Sequence, residues 1–340
     1  MVKLKDIARE TGLTISTVSK ALNNSREISE ATTERVLETA IRMGYRTKQT
    51  EERKDMKLIG AILPEVRSHS YADLLHTLTT EVDRWGYTLI TMITNSFVDD
   101  ITPYIERMLA MNVSGLFING VIGLPRRNQK LLQERGMPTL LMKSVEMEEL
   151  LGIDSISIND SSGMKLAVEH LVELGHTKIG YLGEHLSFMR HDTMCQALAQ
   201  YGLEVNPAFI KQGSERFEEG GYLRALELLQ EPELPTAVLT SYDQMAYGAL
   251  RAFLEHGLRV PEDISVIGYD NVMAGAYYPV PLTSTSNPVE QMGITAVRIL
   301  MDAIQNPATH MVQNVAIQSK LVIRDSTCPP KTVGEKEDNK

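Results

Sequence analysis

The sequence predicts an α/β protein: an N-terminal three-helix unit containing a helix-turn-helix, followed by two doubly wound parallel-sheet lobes. Three observations carry this. The first fifty residues hold three short amphipathic patterns punctuated by Gly or Asn, and from Leu58 short apolar runs alternate with helix-length patterns, twice over. The length, 340 residues, is too great for one small domain, and 43% hydrophobic with 23% charged residues suits packed globular units.

Taken in order, Leu4, Ile7 and Ala8 share a helical face that stops at Thr11-Gly12. The second pattern starts at Thr14, a good N-cap, turns Val18, Ala21 and Leu22 inward, and ends at Asn23-Asn24. The third starts at Ser29, runs Val36, Leu37, Ala40 and Ile41 along one stripe, and stops at Gly44. Two helices joined by a Gly-containing turn and braced by a third describe a helix-turn-helix. The outward face of the second helix carries Ile15, Ser16, Ser19 and Lys20. Short hydroxyls allow close approach to DNA, Lys20 can reach a phosphate or a guanine edge, and Ile15 suits an apolar contact to a base. The helix pattern alone equally fits an interaction domain whose surface happens to hold Ser and Thr.

Charge is distributed to match the first reading. The formal net charge is −10, but residues 1–50 carry nine Lys/Arg against six Asp/Glu, which leaves −13 on the other 290. A mildly basic head on an acidic body permits a local DNA footprint without indiscriminate sticking. No apolar run approaches the roughly 18 residues of a membrane span, and no secretory core follows the first residues. The two cysteines, Cys195 and Cys328, make no disulfide framework, so the expectation is a reduced cytoplasmic protein with no membrane partner.

In the body, Leu58–Pro64 reads as a buried strand, Tyr71–Trp85 as a helix, and Tyr87–Ile90 as the next strand. Helix 101–111, strand 113–118, helix 128–135 and strand 139–142 continue the alternation. A second series follows: helices at 163–174, 191–201, 220–229 and 244–256, strands at 178–182, near Ile210, at 237–240 and at 265–268, then helix 288–306 and two short strands at 315–317 and 320–323. Repeated β-α units imply parallel sheets with helices on both faces, and ligands beyond the carboxyl ends of the strands. The predicted divisions are a headpiece at 1–46, a linker at 47–57, a first lobe of 58–155 with 287–313, a second of 156–286 with 314–325, and a disordered tail from 326.

Enzyme signatures are missing. There is no G-x-G-x-x-G or Walker A sequence, no H-E-x-x-H and no G-x-S-x-G. His170 and His176 read as structural, and Cys195 has no evident base partner. The expectation is no catalysis, no metal and no cofactor.

The wording of the chain narrows this. Lys5-Asp6-Ile7-Ala8, Thr11-Gly12-Leu13 and Ser16-Thr17-Val18-Ser19-Lys20-Ala21-Leu22-Asn23 closely resemble the headpiece of the LacI/GalR family of bacterial transcription repressors. Ile28-Ser29, Thr32, Arg35-Val36 and Gly44-Tyr45 continue the match. The resemblance implies that the second helix enters the major groove, with Ile15 and Ser16 in the leading base-reading positions and Lys20 where Arg is usual. Thr14, Thr17, Ser19 and Asn23 become phosphate-side contacts or caps. Lys in place of Arg removes the bidentate fork and implies a different preferred operator.

The connector departs from the family. Thr47 and Lys48 replace the usual Pro-Asn, no leucine follows until Leu58, and the stretch is about three residues short. Either Met56 substitutes for the minor-groove leucine wedge, or binding rests mainly on the major-groove helices, with less bending of the duplex.

The body resembles the family's effector domain, itself akin to periplasmic sugar-binding proteins. The matching phrases include Glu169-His170-Leu171, Leu174-Gly175-His176, Asp243-Gln244-Met245-Ala246-Tyr247-Gly248 and the run from Gly257 to Asn271. The resemblance implies that Arg190 and Asp270 clamp a small effector. The Arg190 fork suits sugar hydroxyls or a carboxylate, and Asp270 at a strand end accepts from hydroxyls. Tyr242 stands where Asn is frequent and keeps a purine open as the ligand. Tyr71, Asp73 and Asn159 are weaker candidates; Phe188, Tyr277 and Tyr278 are ring platforms or ordinary loop packing. The family pattern further implies a homodimer on a near-palindromic double-stranded operator, with ligand inducing or co-repressing. Residues 325–340 contain no Leu, so the leucine-heptad tetramerisation tail of a few relatives is missing. The rival readings are a regulator of the same fold answering to a purine or a phosphorylated partner protein, and a ligand sensor with weak DNA binding.

Overall fold

The computed structural model describes all residues except 1, 24, 26, 46–56, 96–99, 120–123, 144–151 and 332–340. The linker expected at 47–57 therefore lies outside the described residues, apart from Lys57.

The N-terminal unit has three helices, α1 (Leu4–Thr11), α2 (Ile15–Leu22) and α3 (Glu30–Arg42). Each begins or ends on a local device visible in the sequence. The Asp6 carboxylate accepts from the Lys3 N–H at 2.9 Å. Gly12, at φ 68°, makes the left-handed turn after α1 that a side chain would resist. Thr14 caps α2 by accepting from the Thr17 N–H (3.1 Å), and Ser29 caps α3 by accepting from the Thr32 N–H (3.3 Å). The apolar stripes then meet: Ile7, Val18, Ala21, Val36 and Ala40 are fully buried, with Leu22 and Leu37 nearly so. Burying such side chains at about 1.5–3 kcal/mol each holds three helices that are too short to be stable alone.

The body contains two six-stranded sheets. The strands of the first are β1 (Leu58–Leu63), β2 (Thr88–Ile93), β3 (Gly115–Asn119), β4 (Thr139–Lys143), β5 (Asp154–Asn159) and β11 (Asn314–Gln318), in the order β11-β5-β4-β3-β1-β2. Those of the second are β6 (Ile179–Glu184), β7 (Ile210–Gly213), β8 (Ala237–Thr240), β9 (Ser265–Asp270), β10 (Thr283–Ser286) and β12 (Lys320–Val322), in the order β12-β10-β9-β8-β6-β7. The described pairings are parallel except that of β10 with β12. Helices α4 (His69–Arg84), α5 (Thr102–Ala110), α6 (Arg126–Glu134) and α11 (Val289–Gln305) go with the first lobe. Helices α7 (Asp160–Glu173), α8 (Phe188–Gln200), α9 (Phe217–Leu228) and α10 (Asp243–Glu255) go with the second. Strand order reverses beside β1 in one sheet and beside β6 in the other. Those are the switch points where crevices open at the strands' carboxyl ends.

Three segments differ from the sequence reading. Strand β5 was not foreseen: its Asp-Ser-Ile-Ser-Ile-Asn alternation hides a strand whose serines, Ser155 and Ser157, are buried with its isoleucines. Because β5 belongs to the first sheet, the chain leaves that lobe at Asn159 rather than at 155. Because β11 pairs with β5, it returns to the second lobe at Ser319 rather than at 314. The segment after 325 is held in place as far as Cys328. Ser326 is fully buried, its Oγ accepts from the Thr283 N–H (2.8 Å) and donates to the Val266 carbonyl (2.6 Å), and Val266 donates to the Ser326 carbonyl. His176 supports it, with Nε2 2.9 Å from the Cys328 carbonyl and Nδ1 2.8 Å from Thr236; His170 lies 3.0 Å from Thr327. Both histidines are structural, as read. No helix among the described residues is long and apolar enough to cross a membrane.

Candidate DNA-reading helix and effector cleft

Helix α2 presents its predicted reading face openly. Ile15 is 52% exposed, and Ser16 and Lys20 are exposed beside it. The polar side chains are committed only locally. Thr14 and Thr17 share a hydroxyl–hydroxyl contact at 2.8 Å, Asn23 Nδ2 donates to the Ser19 carbonyl at 2.9 Å, and Lys20 pairs with Glu27. The Lys20 ammonium holds the Glu27 carboxyl below its ordinary range. Thr14 and Asn23 thus serve as caps, and Glu27 is a partner for Lys20 that the helix pattern did not reveal.

The second site lies where the strand ends of the two lobes meet. From the second lobe, Arg190 at the start of α8 donates to the Ser241 carbonyl, reaches Asp160 at 3.6 Å, and lies 3.8 Å over the Tyr269 ring. Burial works against its charge; Asp160, Tyr269 and Asp270 together outweigh it, so the guanidinium is held protonated above its ordinary range. Asp270 ends β9 with φ 106°, and Asn271 follows at φ 53°. The Asp270 carboxylate accepts from Asn287 Nδ2 (3.1 Å) and from Ser70 of the first lobe. Burial raises its pKa, against the lowering effect of Arg190.

A second cluster adjoins it. Arg216 Nε donates to Glu184 Oε2 at 2.7 Å, and its Nη2 stands 4.0 Å from Glu65 of the first lobe. The Phe217 ring has Arg216 at 4.7 Å and Arg67 at 5.2 Å. Tyr242 is buried; its hydroxyl oxygen accepts from the Phe217 N–H (2.9 Å), and burial pushes its pKa up to about 12. Tyr71 faces both clusters. Its hydroxyl is 3.5 Å from Asn119 Oδ1, and burial, with the Glu65 charge, raises its pKa.

The structure therefore brings Tyr71, Arg190, Tyr242 and Asp270 together and leaves the other candidates apart. Asn159 is spent at the lobe crossover: its Oδ1 caps α7 by accepting from the Ser162 N–H (3.0 Å), and its Nδ2 donates to Gln318 at 3.3 Å. Asp73 is exposed on α4, and its carbonyl accepts the Thr77 hydroxyl. Phe188 is 55% exposed at the first turn of α8, and Tyr277 is 82% exposed. Tyr278 stacks on Tyr247 at 4.1 Å, which is loop packing. Cys195 does have an imidazole neighbour, His191 Nε2 at 3.5 Å, a correction to the sequence reading. Burial and Asp192 raise its thiol pKa, the opposite of an activated thiolate. Glu65, Asp160, Glu184 and Arg216 were missed. Glu65 and Glu184 could have been found, since each ends or follows a first-sheet or second-sheet switch-point strand. Among the described residues no group of acidic, His and Cys side chains could hold a metal ion.

A helix-turn-helix ahead of two lobes whose facing strand ends gather paired charges is the layout of a DNA-binding regulator that responds to a small molecule. Comparisons with known proteins agree. Residues 3–48 match the bacterial regulatory proteins of the lacI family, and residues 168–327 match a periplasmic binding protein-like domain. The chain is 30% identical over 336 residues to the HTH-type transcriptional repressor PurR of Haemophilus influenzae strain PittEE, covering 96% of this chain and 98% of the relative. It is 29% identical over 334 residues to PurR of Pasteurella multocida strain Pm70, with the same coverage. The lac repressor dimer bound to operator and the anti-inducer ONPF superposes with a TM-score of 0.70 at 27% identity, covering 96% of this chain and 99% of that one. A LacI family regulator from Enterococcus faecalis V583 with bound ribose gives 0.69 at 25% identity, covering 81% and 100%. The chain belongs to the LacI family of bacterial regulatory proteins, and is a sequence-specific DNA-binding regulator rather than an enzyme.

Proposed function

We propose that this regulator is a repressor that binds a near-palindromic operator as a homodimer and answers to a neutral polyhydroxy effector, a sugar or sugar derivative, held between the lobes. The headpiece of residues 1–46 reads the operator through Ile15, Ser16 and Lys20, and Arg190 with Asp270 clamps the effector. Tyr71 and Tyr242 line the same space.

One observation carries the effector class. Two buried acceptors in the cleft, Glu65 Oε1 and Asn287 Oδ1, have no hydrogen-bond partner, Glu65 Oε1 having only the Arg216 guanidinium at 4.0 Å. Buried acceptors left unpaired are costly, about 1–3 kcal/mol each, and sites that leave them open are built for a donor that arrives. Carboxylates outnumber guanidiniums among the paired residues here, with Glu65, Asp160, Glu184 and Asp270 against Arg190 and Arg216. That surplus of acceptors suits hydroxyl donors and disfavours a phosphate. The relatives support the rest: PurR is a repressor, the lac repressor is a dimer on its operator, and the Enterococcus faecalis regulator holds ribose. Coupling of about 1–3 kcal/mol between cleft and headpiece would suffice for the switch.

Fluorescence anisotropy on a pool of near-palindromic operators, at fixed salt, tests this. The expected result is specific binding that one neutral sugar shifts, while sugar phosphates and purines do not. A shift by a purine alone would replace the effector class; sequence-blind, salt-sensitive binding alone would overturn the repressor reading.

A further inference from the structure

The aspartate at the end of β9 sits in backbone that needs a reason to exist. Asp270 and Asn271 both have positive φ, 106° and 53°, a conformation that non-glycine residues adopt only when their surroundings enforce it. What enforces it here is a buried polar cage behind the cleft, centred on Asp243 at the first position of α10.

Asp243 is 1% exposed. Its Oδ2 accepts from the Val272 N–H at 2.7 Å, and its Oδ1 accepts from the Ser284 hydroxyl at 2.5 Å. Ser284 Oγ in turn accepts from the Asn271 N–H at 3.0 Å. The two amides that follow Asp270 are therefore both fixed, one directly by Asp243 and one through Ser284. Arg324 closes the far side, donating to Asn271 Oδ1 (2.7 Å) and to the Leu282 carbonyl (2.6 Å). The sequence leaves room for this carboxylate: a Cβ on Gly268 would come within 2.1 Å of Asp243 Oδ1. A carboxylate placed at full burial, with a glycine opposite it, is not there for solubility or for packing alone.

We propose that Asp243 is the positioning residue for the ligand-facing aspartate: its carboxyl group pins the Val272 amide directly and the Asn271 amide through Ser284, and so holds Asp270 in the positive-φ conformation that aims it into the cleft. The importance of that aim rests on the effector reading given above; the pinning itself does not. Asp243 is held by these bonds behind the turn that carries Asp270. It acts through the turn, and it belongs to the same element, α10, that Tyr242 precedes. Burial, and the negative charge of Asp270, raise its pKa to about 8, against the lowering effects of Ser284, the Val272 amide and Arg324, which marks it as a group tied electrically to the aspartate it supports.

The test compares full-length wild type with Asp243→Asn, Asp243→Ala and Asp270→Asn. The first readout is amide hydrogen exchange by mass spectrometry, without ligand, at one pH. Asp243→Ala is expected to speed exchange in the peptide spanning residues 270–275 by about tenfold or more, with peptides from β6 and the headpiece unchanged. Asp243→Asn is expected to restore most of the protection, because its amide oxygen still accepts from Val272. Asp270→Asn should exchange like wild type. Unchanged exchange in Asp243→Ala overturns the proposal, and so does a rise spread over the whole second lobe, or a failure of Asn to rescue, since these would mean a packing role. The second readout is titration with D-ribose. If wild type binds it, Asp270→Asn and Asp243→Ala are expected to lose at least tenfold in affinity while Asp243→Asn stays within about threefold. Ribose affinity unaffected by Asp270→Asn would sink the clamp and leave the pinning standing; affinity lost in Asp270→Asn but intact in Asp243→Ala would sink the positioning role alone. A wild type inert to ribose counts against ribose as effector, and the exchange data still decide the pinning.

Discussion

Helix α2 and the cleft, the two candidate recognition surfaces, are built in opposite ways. On α2 the side chains that face outward are exposed and hold only neighbours within a few residues: Thr14 with Thr17, Ser19 with Asn23, Lys20 with Glu27. In the cleft the charged groups are held largely by partners from distant parts of the chain, such as Arg190 with Asp160 and Arg216 with Glu184. The helix keeps its surface available and is strengthened by the scaffold beneath it. The cleft is a network in low dielectric, where each charge is held by others and none can be changed alone. Substitutions should therefore act locally and additively on the helix, and cooperatively in the cleft.

The strongest way to expose that difference is through pH. Asp243, with a pKa of about 8 in the folded chain, has an unfolded value near 3.9. Between those values the folded chain holds a proton that the unfolded chain has released, so stability falls as pH rises through this window. The slope is at most about 1.4 kcal/mol per pH unit, fully developed only well inside the window. Asp243→Asn cannot titrate. Thermal unfolding from pH 5 to 8 should show wild type losing ground relative to Asp243→Asn. Parallel curves for the two proteins would mean that the carboxylate is not coupled to the fold in this way. No comparable difference is expected for any substitution on α2.

Next in size is Arg190→Ala. It leaves Asp160 and Asp270 facing each other without their shared cation, and should cost about 2–3 kcal/mol of stability along with effector binding. Arg190→Lys keeps the charge but not the fork, and should restore stability further than it restores effector affinity. Calorimetry and effector titration on the same samples separate the two. Equal recovery of both would mean that the cleft needs only a charge at this position.

That contrast also explains how much could be read in advance. The headpiece was legible because its determinants are local: a cap at Thr14, another at Ser29, a stripe at helical spacing. That Arg190 and Asp270 come together followed from strand-end placement together with the family wording. Glu65, Glu184 and Arg216 were not, because their pairing joins segments that only tertiary structure brings together. Asn159 looked like a cleft residue by position along the chain, but the end of β5 uses it to cap α7 and to tie β11. The residues after 325 looked like a loose tail because their partners, Ser265, Thr283 and two histidines, lie from 43 to 157 residues away in the chain. Local chemistry shows in a sequence; a buried network shows only where a strand end or a glycine betrays it.

On the helix side, Ile15→Ala is expected to weaken operator binding about tenfold through loss of an apolar base contact. Ile15 is 52% exposed and supports no core, so the melting temperature should not move. Anisotropy on operator and on scrambled DNA distinguishes the outcomes: a loss confined to operator sharpens the assignment, whereas an equal loss on both would place Ile15 outside base reading.

The smallest effect expected is the one that bears most directly on how open the reading face is. Lys20 is paired with Glu27, and both side chains are largely exposed, so the pair adds little to stability. For Lys20 to meet a phosphate or a guanine it must leave Glu27, whose charge then faces the DNA. Glu27→Gln removes both the competing partner and the repulsion. It should raise operator affinity by about two- to fivefold at low salt, with a smaller gain at high salt, since exposed charges are screened. The melting temperature should stay within experimental error. If affinity does not change, Lys20 stays with residue 27 in the complex and contributes nothing to reading; if it rises equally on scrambled DNA, Lys20 is a phosphate contact and not a base contact. Either result would fix the one position where this headpiece replaces the family's arginine, and would decide whether the face on α2 is open in fact or partly closed by its own acid.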